Sequence, residues 1–172
     1  MSQRLYAFGT GVFFAVLQMC YFFTLQAFLS SVYTIYFLLV LAWLGGSIVG
    51  LNIKNEKINF LLITLCLLNL YIVYGLVSIF LFNDYLLPLY FLFIFLSGIY
   101  VGYFFNIQRK TFPRIKILFF WENMGFIIGL IFSLLMFIEF GNRFIVIAPI
   151  LFFCLLGIFK KLTNKTLYLQ IL

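Results

Sequence analysis

Six long apolar stretches, separated by short polar segments, dominate the sequence and limit the folds open to it. A helix needs about 20 mostly apolar residues to cross a hydrocarbon core about 30 Å thick, and each stretch comes near that length. The predicted spans are residues 6–29, 33–51, 58–81, 85–105, 116–138 and 144–159. Apolar residues make up 66% of the chain and charged residues 9%, whereas a soluble domain has about 45–50% and about 25%. We therefore predict an all-α, integral membrane six-helix bundle that forms a single transmembrane domain over residues 1–172.

The positions of lysine and arginine predict how the bundle is oriented. Under the six-span assignment, ten basic residues fall on one side of the membrane and only Arg143 falls on the other. The ten are Arg4, Lys54, Lys57, Arg109, Lys110, Arg114, Lys116, Lys160, Lys161 and Lys165. Because basic residues concentrate in cytoplasmic segments, we expect both termini to be cytoplasmic. The net charge of +7 then reflects topology and attraction to anionic membrane lipids, and no nucleic-acid partner is expected. We expect the bacterial cytoplasmic membrane as the location, with the mitochondrial inner membrane as the alternative.

Glycines spaced four residues apart recur in three of the predicted helices. The pairs are Gly46 and Gly50 in the second helix, Gly98 and Gly102 in the fourth, and Gly125 and Gly129 in the fifth. Small residues at this spacing lie on one helix face and let a neighbouring backbone approach closely, which promotes helix association in lipid. We expect these six glycines to mediate helix packing. A ligand site or a dimer seam is the alternative.

A polar step at Glu122 and Asn123 interrupts the apolar fifth helix. Glu122 follows Lys116 by six residues, which places it about 9 Å deeper along the helix. A charge at the membrane centre costs about 2.5–3.5 kcal/mol, so such a residue normally faces the bundle interior and finds a partner. We expect Glu122 and Asn123 to be binding residues, with Gln18 and Asn69 as inward polar partners. The carboxyl would bind a proton, a cation or a cationic substrate; the alternative is a structural carboxyl that bonds to neighbouring helices.

The residue types that are missing exclude several kinds of chemistry. The chain has no histidine, which excludes histidine-ligated haem, zinc or copper and histidine-dependent nucleophilic catalysis by this chain alone. Cys20, Cys66 and Cys154 lie inside predicted helices without metal-ligand spacing, so we interpret them as apolar fillers. We therefore predict no metal site, no catalytic residue and no enzymatic activity. No cofactor is expected from this chain, and a lipid or quinone is the ligand that an apolar groove would suit.

Four segments together resemble the membrane domain of spermidine synthase-like membrane proteins, which is related to half of a major facilitator superfamily transporter. Gly11–Gln18 and Leu41–Gly50 are similar to the opening helices of that family, and Gly98–Phe105 is similar to its glycine-rich helix. Phe119–Gly129 matches its pattern of an aromatic residue, an acid or asparagine, and paired glycines, with Gly141 following. The resemblance covers nearly the whole chain and implies a half-transporter-like bundle.

The chain also departs from that family. Its members tend to have Glu where Gln18 stands, Arg near Phe23, and Phe-Pro near Phe105-Asn106, so a charged site in the first helix is missing here. We expect no soluble aminopropyltransferase domain after the sixth helix, and therefore no polyamine synthesis by this chain.

Two hypotheses for function follow from the sequence. The first is a non-catalytic integral-membrane subunit that packs with other subunits of a membrane complex, for example a respiratory or redox assembly. The missing histidine, the short loops, the absence of a catalytic constellation and a size equal to half a transporter all favour it. The alternative is a half-size transporter or channel that acts with a second copy or a paralogue, with Glu122 as the coupling or binding carboxylate.

Overall fold

The chain folds into six long α-helices, as seen in a computed structural model. The structure describes residues 2–29 and 32–171, and the side chains of residues 3–29 and 32–160. The helices are α1 (Ser2–Phe28), α2 (Val32–Gly50), α3 (Asn59–Ile79), α4 (Leu87–Gln108), α5 (Ile115–Phe140) and α6 (Asn142–Ile171). Short 3₁₀ turns at Glu56–Ile58 and Asp84–Leu86 precede α3 and α4. In the described part of the chain, all six helices are long and apolar enough to cross a membrane, which confirms the predicted all-helical class and helix number.

The helix ends differ from the predicted spans in an informative way. α1 begins at Ser2 instead of residue 6, and α6 continues to Ile171 instead of ending at residue 159. The length of an apolar run reflects the thickness of the hydrocarbon core, whereas the backbone hydrogen bonds of a helix continue beyond that core. The predicted connection at Ser30-Ser31 lies outside the described residues.

The helices group into two compact units, and the expected single domain stays a prediction. The first unit joins the first half of α1 to α5 and α6, over Met1–Val16 and Thr111–Leu172. α5 ends at a glycine, Gly141, because the φ of +54° there is rarely adopted by other residues. The amide of Gly141 donates to the carbonyl of Phe137 at 2.8 Å, and α6 begins at the next residue. Phe132 of α5 packs edge to face on Phe152 of α6, with ring centroids 5.7 Å apart.

The second unit, Leu17–Lys110, contains the second half of α1 together with α2, α3 and α4. α4 packs most extensively against α2 and also against α3. Pro88 lies in the first turn of α4, where a helix tolerates a missing amide hydrogen. The side chains of Asn55 and Asn83 cap the two 3₁₀ turns by accepting from the amides of Lys57 and Tyr85.

Burial is distributed unevenly over the helices. In α1, 78% of the most apolar 18-residue window is buried, compared with 17% to 39% in the other five helices. α5 is the least buried of the six. Its buried residues include Glu122, Gly125 and Gly129, whereas Met124, Ile128 and Ile131 on the opposite side are exposed. α5 therefore offers a broad apolar face that no described residue covers.

Candidate functional site: buried polar residues and helix contacts

The paired glycines of α2 and α4 lie where the two backbones touch. A β-carbon added at any of these four glycines would overlap a carbonyl oxygen of the facing helix. For Gly46, Gly50, Gly98 and Gly102 those oxygens belong to Phe95, Ile99, Trp43 and Ser47, respectively. The Ser47 hydroxyl donates mainly to the carbonyl of Trp43 in its own helix at 2.8 Å, and it shares this proton with the Gly98 carbonyl of α4 at 3.3 Å. The side-chain-free surfaces of the four glycines thus set the α2–α4 distance.

The first unit contains an equally close contact between α1 and α5. A β-carbon on Gly125 would overlap the carbonyl oxygen of Phe8, and one on Gly129 would lie 2.9 Å from the carbonyl oxygen of Val12. On the other side of the contact, a β-carbon on Gly11 would overlap the carbonyl oxygen of Glu122. Gly11 was not among the glycines predicted to mediate packing, because no glycine lies four residues from it.

A broader small-residue rule would have identified this part of α1. Ala7, Gly11 and Ala15 are spaced four apart, and both alanines are fully buried. Alanine can replace glycine in such helix contacts when the facing backbone is slightly further away. The useful signal was therefore the spacing of small residues, including alanine.

Glu122 is the buried member of the chain's four acidic residues, with 6% of its surface exposed. The described residues give its carboxyl group no hydrogen bond and no ion pair. Its backbone touches α1 at Gly11, so the residue lies on the packed side of α5. A carboxyl group in this position is able to hold a proton or a small cation.

Asn123, next to it in the chain, points the other way. Its side chain is exposed on α5, and its amide nitrogen donates to the carbonyl of Phe119 one turn earlier at 2.8 Å. The described residues offer its carbonyl oxygen no donor. The side chains of Glu122 and Asn123 therefore lie on different sides of α5. Glu122 lies inside the first unit, and Asn123 lies on its outside.

A buried polar cluster occupies the second unit around Ser97 of α4. The hydroxyls of Tyr21 and Ser97 lie 2.8 Å apart, and the Asn69 amide donates to Ser97 Oγ at 3.3 Å. Ser97 Oγ lies 3.1 Å from the carbonyl of Phe93. If Ser97 donates its proton to that carbonyl, Tyr21 and Asn69 both donate to Ser97 Oγ. Both lone pairs of the serine oxygen are then used. The cluster links α1, α3 and α4 inside an apolar interior.

The cluster gives one predicted binding residue a defined role and adds two that were missed. Asn69 was predicted as an inward polar residue, whereas Tyr21 and Ser97 were not singled out. Tyr21 follows Gln18 by three residues, and a tyrosine far from a helix end was an available signal, since membrane tyrosines usually lie at the interfaces. Gln18 is half-buried in the same unit. Its pairing with Glu122, and that of Asn69, stays a prediction.

The loop between α2 and α3 is fixed to the end of α4. The buried Tyr103 hydroxyl lies 3.2 Å and 3.1 Å from the carbonyl oxygens of Asn55 and Glu56. Asn106 donates to the carbonyl of Ile53 at 2.8 Å. Lys110 forms an exposed ion pair with Glu56, with 2.8 Å between Nζ and Oε1. Two donors of α4, the Tyr103 hydroxyl shared between two carbonyls and the Asn106 amide, therefore hold the loop backbone at residues 53–56.

Other features of the described residues offer less to bind. They contain no group of three or more His, Cys, Asp or Glu side chains placed to hold a metal ion. A small cavity of about 60 Å³ lies at the opposite end of the second unit from the anchored loop, near Asp84 and Leu87. It is smaller than the clefts of about 300 Å³ or more that bind small molecules. A wider depression of about 440 Å³ lies over residues 82–85, but it is a shallow feature that is open to the surface.

No protein-family model, no curated protein and no solved structure matches this chain.

Proposed function

We propose that the protein is a non-catalytic, multi-pass membrane subunit that packs against another membrane protein through the exposed face of α5. The observation that carries this proposal is Asn123, a polar side chain in the middle of an otherwise apolar exposed face. The half-transporter-like architecture implied by the family resemblance remains part of the proposal.

Residue types at the ends of the helices support the membrane placement. Within the second unit all four basic residues lie at the end that carries the anchored loop. Exposed aromatic residues mark the other end: Tyr33, Phe82 and Tyr85 are 83%, 69% and 95% exposed. Basic residues on the cytoplasmic side and aromatic residues at the interface are typical of membrane helices. We infer cytoplasmic termini and a bacterial cytoplasmic membrane, with the mitochondrial inner membrane as the alternative.

Asn123 favours a protein neighbour at the α5 face, because lipid chains cannot form hydrogen bonds with its side-chain amide. Asn123 lies about 10 Å along the helix from Lys116, inside the proposed hydrocarbon region. Phe120 and Ile127 flank it on the same side, at spacings of three and four residues, and both are exposed. A neighbouring helix that supplies a donor and an acceptor would complete the hydrogen bonds of Asn123, and such interhelical bonds contribute about 0.6–2 kcal/mol.

Co-purification tests this proposal. Gentle detergent extraction of the tagged chain should recover unlike membrane subunits in stoichiometric amount. Asn123→Leu should lower that recovery by about 3–30-fold, whereas Met124→Leu, an apolar exchange at the neighbouring exposed position, should leave it unchanged. A chain that purifies alone, or an Asn123→Leu variant that keeps its partners, would refute the proposal. Bound quinone or lipid can be identified in the same preparation.

Glu122 supports a second candidate function, a half-size transporter or channel that works as a dimer. A buried carboxyl group without a partner among the described residues is typical of proton and cation sites in transporters. This function predicts a homodimer whose proton- or cation-dependent uptake in liposomes is abolished by Glu122→Gln and kept by Glu139→Gln, an exposed acid on the same helix. The subunit proposal predicts that Glu122→Gln leaves the complex functional.

A further inference from the structure

The anchored end of the second unit carries positive charge that its own residues do not balance. Lys54, Lys57 and Arg109 are exposed, and no described acid pairs with them. Glu56 is already paired with Lys110. The remaining acid of this unit, Asp84, lies just before the start of α4. The length of this 22-residue helix places it about 33 Å from the charges at the other end. The local charge is therefore about +3, from four cations and one carboxylate.

An exposed apolar stripe begins directly beside these charges. Leu61, Leu68, Ile72 and Ile79 of α3 are 64%, 54%, 43% and 73% exposed. Spacings of seven, four and seven residues place them on one side of the helix. Gly75 lies beside the stripe, and a β-carbon there would meet no atom within 4 Å. The stripe runs nearly the full length of α3 and begins one turn after Lys57.

We propose that this end of α3 is a binding site for one anionic phospholipid. Lys54, Lys57 and Arg109 receive the phosphate group, and the acyl chains lie along the α3 stripe toward Gly75. The match is one of charge and amphiphilicity, since cations adjoin a long apolar surface. The hydrogen bonds from Tyr103 and Asn106 hold the loop backbone in place before the lipid arrives, which lowers the entropic cost of binding.

The site extends the proposed function and depends on its membrane placement, but not on a partner at α5. Nearby lysines attract anionic lipid diffusely in any case, by about 1 kcal/mol each. A specific site differs from this diffuse attraction because Lys54 and Lys57 contribute more to lipid binding than two other basic residues on the same side of the membrane. The anchored loop gives Lys54 and Lys57 that position, because their backbone is fixed next to the start of the stripe.

Native mass spectrometry of the detergent-purified chain tests the site. Phosphatidylglycerol should be retained as a single bound lipid, in preference to phosphatidylcholine of the same acyl composition. Lys54→Gln with Lys57→Gln should weaken this binding by more than about 30-fold, which is the loss that diffuse attraction of about 1 kcal/mol per nearby lysine would give. The matched control, Arg4→Gln with Lys116→Gln, removes the same charge from the first unit and should keep binding within about threefold. Inorganic phosphate at millimolar concentration should not displace the lipid, because it lacks the acyl chains.

Three results would overturn the site. They are equal binding of the two lipids, equal loss in the two double variants, and displacement by inorganic phosphate alone. The first two would leave only diffuse attraction or none, and the third would indicate a simple anion site. Recovery of the α5 partner is measured separately, so a chain that loses the lipid but keeps the partner refutes this inference and leaves the proposed function intact.

Discussion

The close contact of α2 and α4 predicts that one added methyl group will separate two helices. In Gly102→Ala the new β-carbon would overlap the carbonyl oxygen of Ser47 and lie 2.7 Å from the backbone nitrogen of Leu51. Both are backbone atoms in or next to α2, so no side-chain rotation relieves the overlap. The helices must move apart or tilt.

The expected cost follows from three contributions. Overpacking a well-packed contact costs about 1–3 kcal/mol. Separation also removes the longer branch of the shared Ser47 hydrogen bond, at about 0.5 kcal/mol, because the hydroxyl keeps its bond to the Trp43 carbonyl. Alanine is favoured over glycine in a helix by about 1 kcal/mol, which opposes the loss. The free energy of unfolding should therefore fall by about 0.5–2.5 kcal/mol.

Gly75→Ala is the matched control, because it makes the same exchange at a helical glycine whose added β-carbon meets nothing. It should gain up to about 1 kcal/mol from helix propensity. Thermal unfolding can be followed with a thiol-reactive dye, since Cys20 and Cys66 are buried and Cys154 gives a constant background. If Gly102→Ala unfolds at or above the temperature of Gly75→Ala, the close backbone contact is wrong.

Three further substitutions test other parts of the fold. Ser97→Ala should cost about 1–3 kcal/mol, because it leaves the buried Tyr21 hydroxyl and Asn69 amide without their partner. The control Ser78→Ala, at an exposed position, should change thermal stability by less than about 0.5 kcal/mol, and equal shifts in the two variants would refute the buried cluster. Tyr103→Phe removes the hydroxyl that holds the α2–α3 loop and should speed amide hydrogen exchange in residues 51–58, at a cost of about 0.5–1.5 kcal/mol; unchanged exchange would show that the loop does not need this anchor. Gly141→Ala should cost about 1–3 kcal/mol in thermal unfolding, because residues with a β-carbon rarely adopt the φ of +54° and ψ of −130° found there, and an unaltered melting temperature would contradict the turn geometry.

Apolar length predicted the helices well because membrane helices are selected by one dominant free energy, the transfer of side chains from water to hydrocarbon. The same reasoning located the inward position of Glu122, since a carboxyl group is costly against lipid. The exposed position of Asn123 could not be derived in this way. An amide costs less than a charge, and its orientation depends on a neighbour that the sequence does not specify.

Contacts between distant segments were predicted less completely. Tyr21 and Ser97 are 76 residues apart, and neither has a local pattern that identifies the other. The spacing of Ala7, Gly11 and Ala15 marks a packing face on α1, but it does not identify the facing carbonyl of Glu122 that Gly11 approaches. The loop anchors have the same origin, since Tyr103 and Asn106 follow the loop by about 50 residues.

The burial of α1 has a consequence for how the protein is made. α1 is the most buried helix, and its mean hydropathy of 1.6 is the lowest of the six. Ser97, which bonds to Tyr21 of α1, is synthesised 76 residues after it. That interval lasts about 4–15 s at about 5–20 residues per second. During that interval the least apolar helix has none of its eventual neighbours on α4 or α5. Chains truncated before α4 should therefore expose Cys20 to maleimide reagents that do not reach it in the complete fold. α1, the most buried of the described helices, is thus synthesised first and gains its contacts with α4 and α5 only after those helices are made.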